Sequence, residues 1–250
     1  MTTNKILNIT VPTDTKHNIL EKSIKYISGN QGFCHIVSLN PEILTMTQYD
    51  DSMKRIIEKA QIKIIDGQGI VLAAQILGMD IGERYPGVDL MVDLIKEADK
   101  MRLRVLLIGG KSNLALRLAQ CYNDQMLQAK FFGVDGIKNI KSPDVKEEKV
   151  LFNIVTDYRP HIVFVAFGSP DQEKWIERNR DQFKNSVVMG VGGAFDFLSG
   201  EIGRAPTILR TLGLEWFYRL VHQPWRWRRQ LKLLEFTYLV IKQKLGRLNS

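Results

Sequence analysis

Residues 162–167, with the sequence IVFVAF, are apolar at every position and lead directly into the turn residues Gly168 and Ser169. A strand of this composition is buried on both faces, which is typical of a parallel sheet covered by helices on each side. Residues 104–108 (RVLLI) have nearly the same character. These two stretches predict an α/β fold whose sheet is mostly parallel.

The surrounding sequence extends this pattern, because short β-rich runs alternate with amphipathic helical segments over the first 200 residues. Such alternation with short connections predicts a Rossmann-like sheet with helices on both faces, and we assign it to a catalytic domain at residues 1–200. Strands are predicted at residues 6–11, 35–39, 63–65, 104–108, 130–134, 162–167 and 187–191, and helices at 88–101, 113–127, 145–158 and 171–183.

Residues 201–250 differ from the rest of the chain, since strand patterns stop and helical patterns continue. After Pro224, which suits the first turn of a helix, apolar residues recur at positions 227, 231, 234, 238, 241 and 245, which is one face of a helix. We therefore predict a helical C-terminal appendage on the α/β domain.

The appendage is also strongly basic and aromatic, as residues 215–232 (EWFYRLVHQPWRWRRQLK) illustrate. From residue 204 onward the chain has ten of its 35 Lys and Arg but two of its 27 Asp and Glu, so the first 203 residues are balanced. This asymmetry predicts an anionic partner. A membrane surface, a nucleic acid and plain core packing of the apolar face all remain open at this point.

Several classes of protein are disfavoured by composition. No apolar run approaches the ~20 residues that span a bilayer, and the N-terminus has no signal-peptide pattern. Cys34 and Cys121 match no metal or redox spacing, which favours a cytosolic chain with free thiols. The four histidines show no metal-ligand spacing. We therefore expect neither a metal nor another cofactor.

Asp66 follows a predicted strand, where open α/β sheets bind ligands, and Arg84 lies in a later loop flanked by turn residues. Asp66 stands in the turn IDGQG, where flanking glycines permit a ligand to approach a candidate general base. Arg84 stands in the loop GERYPG, where a guanidinium could grip a phosphate. The structural alternatives are a turn aspartate and a surface ion pair of Arg84 with Glu83 or Asp89.

Glycine turns follow other predicted strands. The turn Gly109-Gly110-Lys111-Ser112 is not a P-loop, because Val105 occupies the position of its first glycine. The turn at 190–193 is not a dinucleotide fingerprint, because Phe195 occupies the position of its third glycine. Glycine turns before helices can still hold a phosphate, which predicts a site for a phosphorylated ligand, most simply a nucleotide.

Taken together, these segments resemble the WecG/TagA/CpsF family of bacterial glycosyltransferases over nearly the whole chain. Each block alone is weakly specific, but their number and order make the resemblance specific. The blocks are SLNPE (38–42), IIDGQGIV (64–71), GERYPGVDLM (82–91), LLIGG (106–110), FVAFGSPDQEKW (164–175), GVGGAFDFLSGEIGRAP (190–206) and GLEWFYRL (213–220) with the following arginines.

The resemblance implies an inverting, metal-independent transfer of a sugar from a UDP-sugar to a polyprenyl-diphosphate-linked sugar. In one branch of the family the sugar is N-acetylmannosamine, destined for teichoic acid. Other branches use its uronic acid, or a glucosyl donor in exopolysaccharide assembly. The sequence does not choose between these pathways, and it leaves the oligomeric state open, a homo-oligomer included.

The resemblance also implies roles for individual residues. Asp66 resembles the proposed catalytic base, and Arg84 resembles an essential arginine that would stabilise the departing diphosphate. Ser38 stands where threonine is more frequent in the family. The remaining candidates are Ser38, Asn40, Gly109, Gly168, Gln172, Gly193 and Asp196 for substrate binding, and Arg219, Arg226 and Arg229 for the acceptor diphosphate or the membrane.

These implications favour a cytoplasmic protein held peripherally at the inner face of the membrane by its basic appendage. Two rival hypotheses come from other classes. A nucleic-acid-binding protein would use the basic tail but would leave the loop residues without a purpose. A dehydrogenase is disfavoured because the dinucleotide fingerprint is missing.

Overall fold

The structure, a computed structural model, describes residues 4–200 except residues 30 and 112, then residues 203, 206 and 218, and residues 227–246. Of residues 227–230 it describes the backbone alone. The strands are β1 Lys5–Ile6, β2 Ile9–Thr10, β3 Cys34–Leu39, β4 Ile62–Ile65, β5 Arg104–Gly109, β6 Lys130–Val134, β7 Ile162–Ala166 and β8 Val187–Gly190. The helices are α1 Lys16–Ser28, α2 Pro41–Met46, α3 Asp51–Lys59, α4 Gln68–Leu77, α5 Gly87–Lys100, α6 Leu114–Gln125, α7 Val145–Tyr158, α8 Asp171–Arg178, α9 Ala194–Leu198 and α10 Trp227–Lys244, with a 3-10 helix at Arg180–Phe183.

Six of these strands form one sheet in the order β4-β3-β8-β7-β5-β6, and every pairing in it is parallel. This confirms the predicted α/β fold. The strands β5 and β7 are neighbours, but the strand that follows β5 in the chain, β6, lies on one side of this pair, and the strand that follows β7, β8, lies on the other side. The adjacent ends of β5 and β7 are therefore a topological switch point, where open sheets of this kind form a ligand crevice.

The central strand β7 shows why its sequence is apolar at every position. Ile162 and Phe164 are buried in a cluster with α5 and α6, whereas Val163 and Val165 are buried in a second cluster with α7 and α8. Successive side chains of a strand point to opposite faces, so helices on both faces bury both sets.

The predicted strand at residues 6–11 is wrong as a single strand. The segment forms β1 and β2, an antiparallel pair that lies outside the main sheet. Leu7 and Asn8 make the turn between them with positive φ values of 49° and 64°. Periodicity missed this hairpin because Leu7 is buried although it lies in the turn.

The C-terminal helix α10 is present as predicted, but the predicted apolar stripe is not the side that packs on the body. Phe236, Leu239 and Val240 are buried instead. They join a core cluster with residues of β1, β2, α2 and α4. The exposed side has its own apolar residues, which we call the outer stripe: Leu231, Leu234, Tyr238, Ile241 and Leu245, each between 48% and 70% exposed. At 3.6 residues per turn, the outer stripe lies about 180° from Phe236 around the helix axis.

Polar contacts fix α10 in place at both of its ends. Near its C-terminus, Gln243 accepts a hydrogen bond from the N–H of Leu7 and donates one to the carbonyl of Lys5, both at 2.8 Å. Near its start, Lys232 Nζ lies 3.4 Å from Glu42 Oε1 on α2. The structure describes α10 from Trp227 onward. Pro224, which the sequence assigns to the first turn of this helix, lies outside the described residues. None of the described helices combines the length and apolar character that a bilayer span requires.

His35 is a buried histidine near the start of β3. It is fully inaccessible, and neither ring nitrogen has a hydrogen-bond partner among the residues that the structure describes. Burial, and secondly the charge of Arg180, lower its pKa from 6.5 to about 3. The folded protein therefore keeps this ring neutral, because an imidazolium there would be charged and desolvated.

We predict that His35 makes the protein acid-sensitive. Below the unfolded pKa of about 6.5, the unfolded chain takes up a proton that the folded chain resists until about pH 3. The free energy of unfolding should thus fall by about 2 kcal/mol between about pH 7.5 and about pH 5 through this residue alone. His35→Leu should remove that part of the pH dependence in urea unfolding. An unchanged slope in His35→Leu would contradict this prediction.

Candidate active site

The carboxyl ends of five neighbouring strands bring several of the predicted site residues to one edge of the sheet. In sheet order these ends belong to β4, β3, β8, β7 and β5. Because the strands are parallel, every loop that follows one of them opens at the same edge. The loops after β4, β3, β8, β7 and β5 begin with Asp66, Asn40, Val191, Phe167 and Gly110, in that order.

Asp66 immediately follows β4, and its side chain faces the start of α5. Its Oδ1 atom accepts a hydrogen bond from the N–H of Gly87 at 2.8 Å. Gly87 is the first residue of α5, so this carboxylate lies at a helix N-terminus, where negative charge is favourable. A Cβ atom on Gly87 would lie 3.1 Å from Ser38 Oγ and 4.0 Å from Asp66 Oδ1. Glycine at the start of α5 therefore leaves room for the Ser38 hydroxyl.

Arg84 lies directly beside Asp66. Its Nε–H donates to the backbone carbonyl of Asp66 at 3.0 Å, and the two segments are joined by a parallel bridge between Ile65 and Arg84. The N–H of Tyr85 also donates to the carbonyl of Ile65 at 2.8 Å. Sequence patterns placed these two charged residues in different loops, and the structure brings them into one place.

The loop that carries Arg84 is held by the N-terminal segment of the chain. The N–H groups of Gly82 and Glu83 donate to the carbonyls of Pro12 and Asp14, at 2.9 and 3.0 Å. A Cβ atom on Gly82 would lie 2.3 Å from the carbonyl oxygen of Asp14, which requires glycine there. Three backbone bonds thus anchor residues 82–85, so the guanidinium is presented from a fixed loop.

Asn40 caps α2, which is the structural role expected of an asparagine before Pro41. Its Oδ1 atom accepts from the N–H of Ile43 at 3.0 Å. A substrate contact of Asn40 remains a prediction beside this capping role. Ser38, the last residue but one of β3, is partly buried and lies next to Gly87, within the same group as Asp66.

On the other side of the site, an ion pair joins the loop after β5 to the segment after β8. Lys111 Nζ lies 3.6 Å from Asp196 Oδ1, close to the start of α9. Gly193 precedes this helix, and Gly109 ends β5 with a φ of 89°. A Cβ atom on Gly109 would lie 2.8 Å from the ring of Phe167, so this glycine permits a close approach between neighbouring strand ends.

Gln172 joins two glycine turns from within the protein. It is 3% exposed, and its Oε1 atom accepts from the N–H groups of Gly168 and Gly192, both at 3.1 Å. Its Nε2 atom donates to Glu173 Oε1 at 2.8 Å. The N–H of Gly168 is thus engaged inside the protein. This geometry gives Gln172 a role in shaping the turns, whereas a direct contact with substrate remains a prediction.

The structure does not reach all of the predicted site. Arg219 and Arg226 lie outside the described residues, and of Arg229 only the helical backbone is described. Within the described residues, no group of three or more His, Cys, Asp or Glu is arranged to hold a metal ion.

Two features of the site escaped sequence reasoning. The N–H of Gly87 is one, although Pro86 and the helical pattern after it mark a helix start at that point. Glu173 is the other, because a glutamate in the first turn of an amphipathic helix is ordinarily a solvated residue. Its burial in α8 could not be derived from spacing.

The chain belongs to the glycosyl transferase WecG/TagA/CpsF family, whose model matches residues 4–250. This confirms the resemblance drawn from the sequence blocks. The protein is accordingly a glycosyltransferase.

The chain is similar to three named relatives at 30–31% identity. Each is an N-acetylglucosaminyldiphosphoundecaprenol N-acetyl-beta-D-mannosaminyltransferase. The Bacillus spizizenii enzyme is 31% identical over 88% of this chain and 82% of its own length. The Bacillus subtilis enzyme is 30% identical over 93% of this chain and 92% of its own length. The Staphylococcus aureus enzyme is 31% identical over 96% of this chain and 92% of its own length.

Proposed function

We propose that this glycosyltransferase transfers N-acetylmannosamine from its UDP-sugar, with inversion, to N-acetylglucosamine linked to undecaprenyl diphosphate. The observation that carries this proposal is that Arg84 donates from its guanidinium to the backbone carbonyl of Asp66, while the Asp66 carboxylate accepts from the N–H of Gly87 at the carboxyl edge of the sheet. The two residues that this contact joins are of the types that a transfer without metal requires, a base and a cation. The names of the relatives support the choice of sugar and acceptor.

In this mechanism the acceptor hydroxyl attacks the anomeric carbon from the face opposite UDP. The proton of that hydroxyl passes to the carboxylate of Asp66 as the new C–O bond forms. The anomeric bond to the β-phosphate oxygen breaks at the same time, and its electron pair leaves with UDP. A single displacement of this kind turns an α-linked donor into a β-linked product.

Negative charge grows on the β-phosphate as UDP departs, and Arg84 is a cation in direct contact with the residue that carries the proposed base. A guanidinium presents several N–H donors in one plane, which suits phosphate oxygens. Because backbone bonds anchor its loop, little reorganisation is needed when the charge develops. Lys111, across the site and paired with Asp196, supplies a second positive group near the same edge.

A donor panel tests this proposal. The full chain would be incubated with a short-chain lipid-diphosphate N-acetylglucosamine and, in turn, UDP-N-acetylmannosamine, its uronic acid, UDP-N-acetylglucosamine and UDP-glucose. We expect transfer from UDP-N-acetylmannosamine, with a β linkage by NMR. Preference for another UDP-sugar would refute the donor assignment, and an α linkage would refute single displacement.

A binding screen separates the proposal from its rivals. Ligands that bind the folded state alone raise its melting temperature. UDP should do so, whereas NAD and a short oligonucleotide should not. Stabilisation by NAD would favour a dehydrogenase, and salt-sensitive stabilisation by the oligonucleotide would favour a nucleic-acid-binding protein.

We also propose that α10 holds the protein at the membrane surface through its outer stripe. A helix that is apolar on two opposite sides needs a partner on each. One side of α10 has the protein body, and a bilayer interface fits the other, since the acceptor carries a long lipid and Lys242 and Lys244 lie in the last turn. The helices α2 and α4, against which α10 packs, begin next to Asn40 and Asp66. Docking by α10 would therefore bring the candidate site close to the lipid headgroups.

Liposome flotation tests the membrane proposal. The double variant Leu234→Ser, Ile241→Ser should lower the fraction bound to vesicles of anionic phospholipid at least about fivefold, since each side chain forfeits about 1.5–3 kcal/mol of apolar burial. Leu127→Ser with Val145→Ser is the matched control, because both residues are highly exposed but lie far from α10 in the sequence. Equal flotation of the two double variants would contradict the proposal.

A further inference from the structure

The first turn of α8 contains a polar group that the proposed chemistry does not use. Glu173 is 2% exposed, and its Oε2 atom has no hydrogen-bond partner among the residues that the structure describes. The neighbouring hydroxyl of Ser169 also lacks a partner within hydrogen-bond distance, although it lies close enough to Glu173 to favour the ionised carboxylate. Buried polar atoms without partners destabilise a fold, so their presence beside a candidate site asks for a functional reason.

Glu173 fixes which way the amide of Gln172 points. The two glycine N–H groups at Gly168 and Gly192 need an acceptor, so the oxygen of the amide must lie towards them. The nitrogen of the amide then faces Glu173 Oε1, which accepts from it at 2.8 Å. Without an acceptor at that place, the amide nitrogen would be buried and unpaired.

The surroundings of this amide leave it little freedom. A Cβ atom on Gly190, at the end of β8, would lie 2.5 Å from Gln172 Nε2 and 2.8 Å from its Cδ. The strand β8 therefore packs directly against the Gln172 amide, and Gly190 permits this contact because it has no side chain. Two turns on adjacent strands, β7 and β8, are in this way held to one another through a single side chain.

Burial favours the neutral form of this carboxyl. Desolvation raises the pKa of Glu173 above its ordinary value, and the nearby Asp171 acts in the same direction, while Gln172 and Ser169 oppose it. A neutral carboxyl can still accept from Gln172 through Oε1 and can donate its proton through Oε2.

We propose that Glu173 is a positioning residue for the donor nucleotide, acting through Gln172 to hold the Gly168 and Gly192 turns in their binding conformation. The inference rests on the proposed function, because it takes these turns as part of the UDP-sugar site. Loss of the Glu173 carboxyl should therefore weaken binding of the UDP-sugar and leave binding of the lipid-linked substrate unchanged.

Steady-state kinetics with both substrates would test this. Glu173→Leu should raise the KM for the UDP-sugar at least about tenfold, with the acceptor KM within about twofold of the original. Glu173→Gln, which mimics the neutral carboxyl, should restore the donor KM to within about threefold of the original. The control is Glu177→Gln on the same helix, where the carboxylate pairs with Arg180 at the surface and donor KM should not change.

A second variant keeps the inference testable if Glu173→Leu does not fold. Gln172→Met should raise the donor KM as Glu173→Leu does, and the double variant should be no worse than either, because both act through one contact. A tenfold rise in donor KM for Glu173→Gln, or an unchanged donor KM for Gln172→Met, would overturn the inference. Failure of the unaltered protein to transfer from any UDP-sugar would instead refute the proposed function.

Discussion

Replacing Asp66 by asparagine should lower kcat by about 100-fold or more, the usual contribution of a general base. The side-chain oxygen of asparagine can still accept from the N–H of Gly87, so the start of α5 should keep its structure. What the amide cannot do is take the proton of the acceptor hydroxyl. The fall should therefore appear in kcat and kcat/KM alike, while the donor KM changes little.

A matched control separates this effect from general loss of a carboxylate. Asp157 is an exposed residue of α7, close to the amino end of β7 and so at the opposite edge of the sheet. Asp157→Asn should leave turnover unchanged. Turnover of Asp66→Asn within about threefold of the original, with both variants equally stable, would remove Asp66 from the proposed role.

Replacing Arg84 by alanine should lower kcat by about 100- to 1000-fold, the effect of removing one donor to a developing oxyanion. The charge on the departing β-phosphate is greatest in the transition state, so kcat should fall more than donor affinity does. Arg84→Lys should recover part of the loss at most, because an ammonium is a point charge that cannot reproduce the planar fork.

The structure also predicts a smaller local effect, since Arg84 Nε–H supports the carbonyl of Asp66. Urea unfolding should show a loss of about 1 kcal/mol for Arg84→Ala, the net value of one such bond. Arg55, an exposed residue of α3, gives the control: Arg55→Ala should change neither turnover nor stability appreciably. If Arg84→Ala lowered only stability and left kcat unchanged, the guanidinium would be structural.

The parallel sheet could be predicted from the sequence because a strand that is buried on both faces is apolar at nearly every position. Residues 162–167 could be recognised as a central strand since every side chain there meets a helix. The hairpin at β1 and β2 left no such trace, because a buried Leu7 in its turn imitates a strand residue. Strand patterns also could not give the order β4-β3-β8-β7-β5-β6, which depends on pairing between distant segments.

The outer stripe of α10 likewise was predicted from the sequence in part and depended on packing in part. Its periodicity predicted a helix with an apolar face, and the helix is there. Periodicity could not say which of two apolar sides packs on the body, because Phe236 and Val240 form a shorter stripe on the other side. That choice depends on the shape offered by α2 and α4, where Leu233 lies close to Gly69.

By itself, the sequence determined the α/β class, the family and the chemical types of the site residues, because turn glycines, buried strands and charged loop residues are local properties of the chain. Tertiary structure alone decided that Asp66 and Arg84 lie side by side, that Gln172 joins two turns, and that Glu173 is buried beneath them. These features depend on contacts between separate strands, helices and loops, and such contacts are set by how strands pair and helices pack.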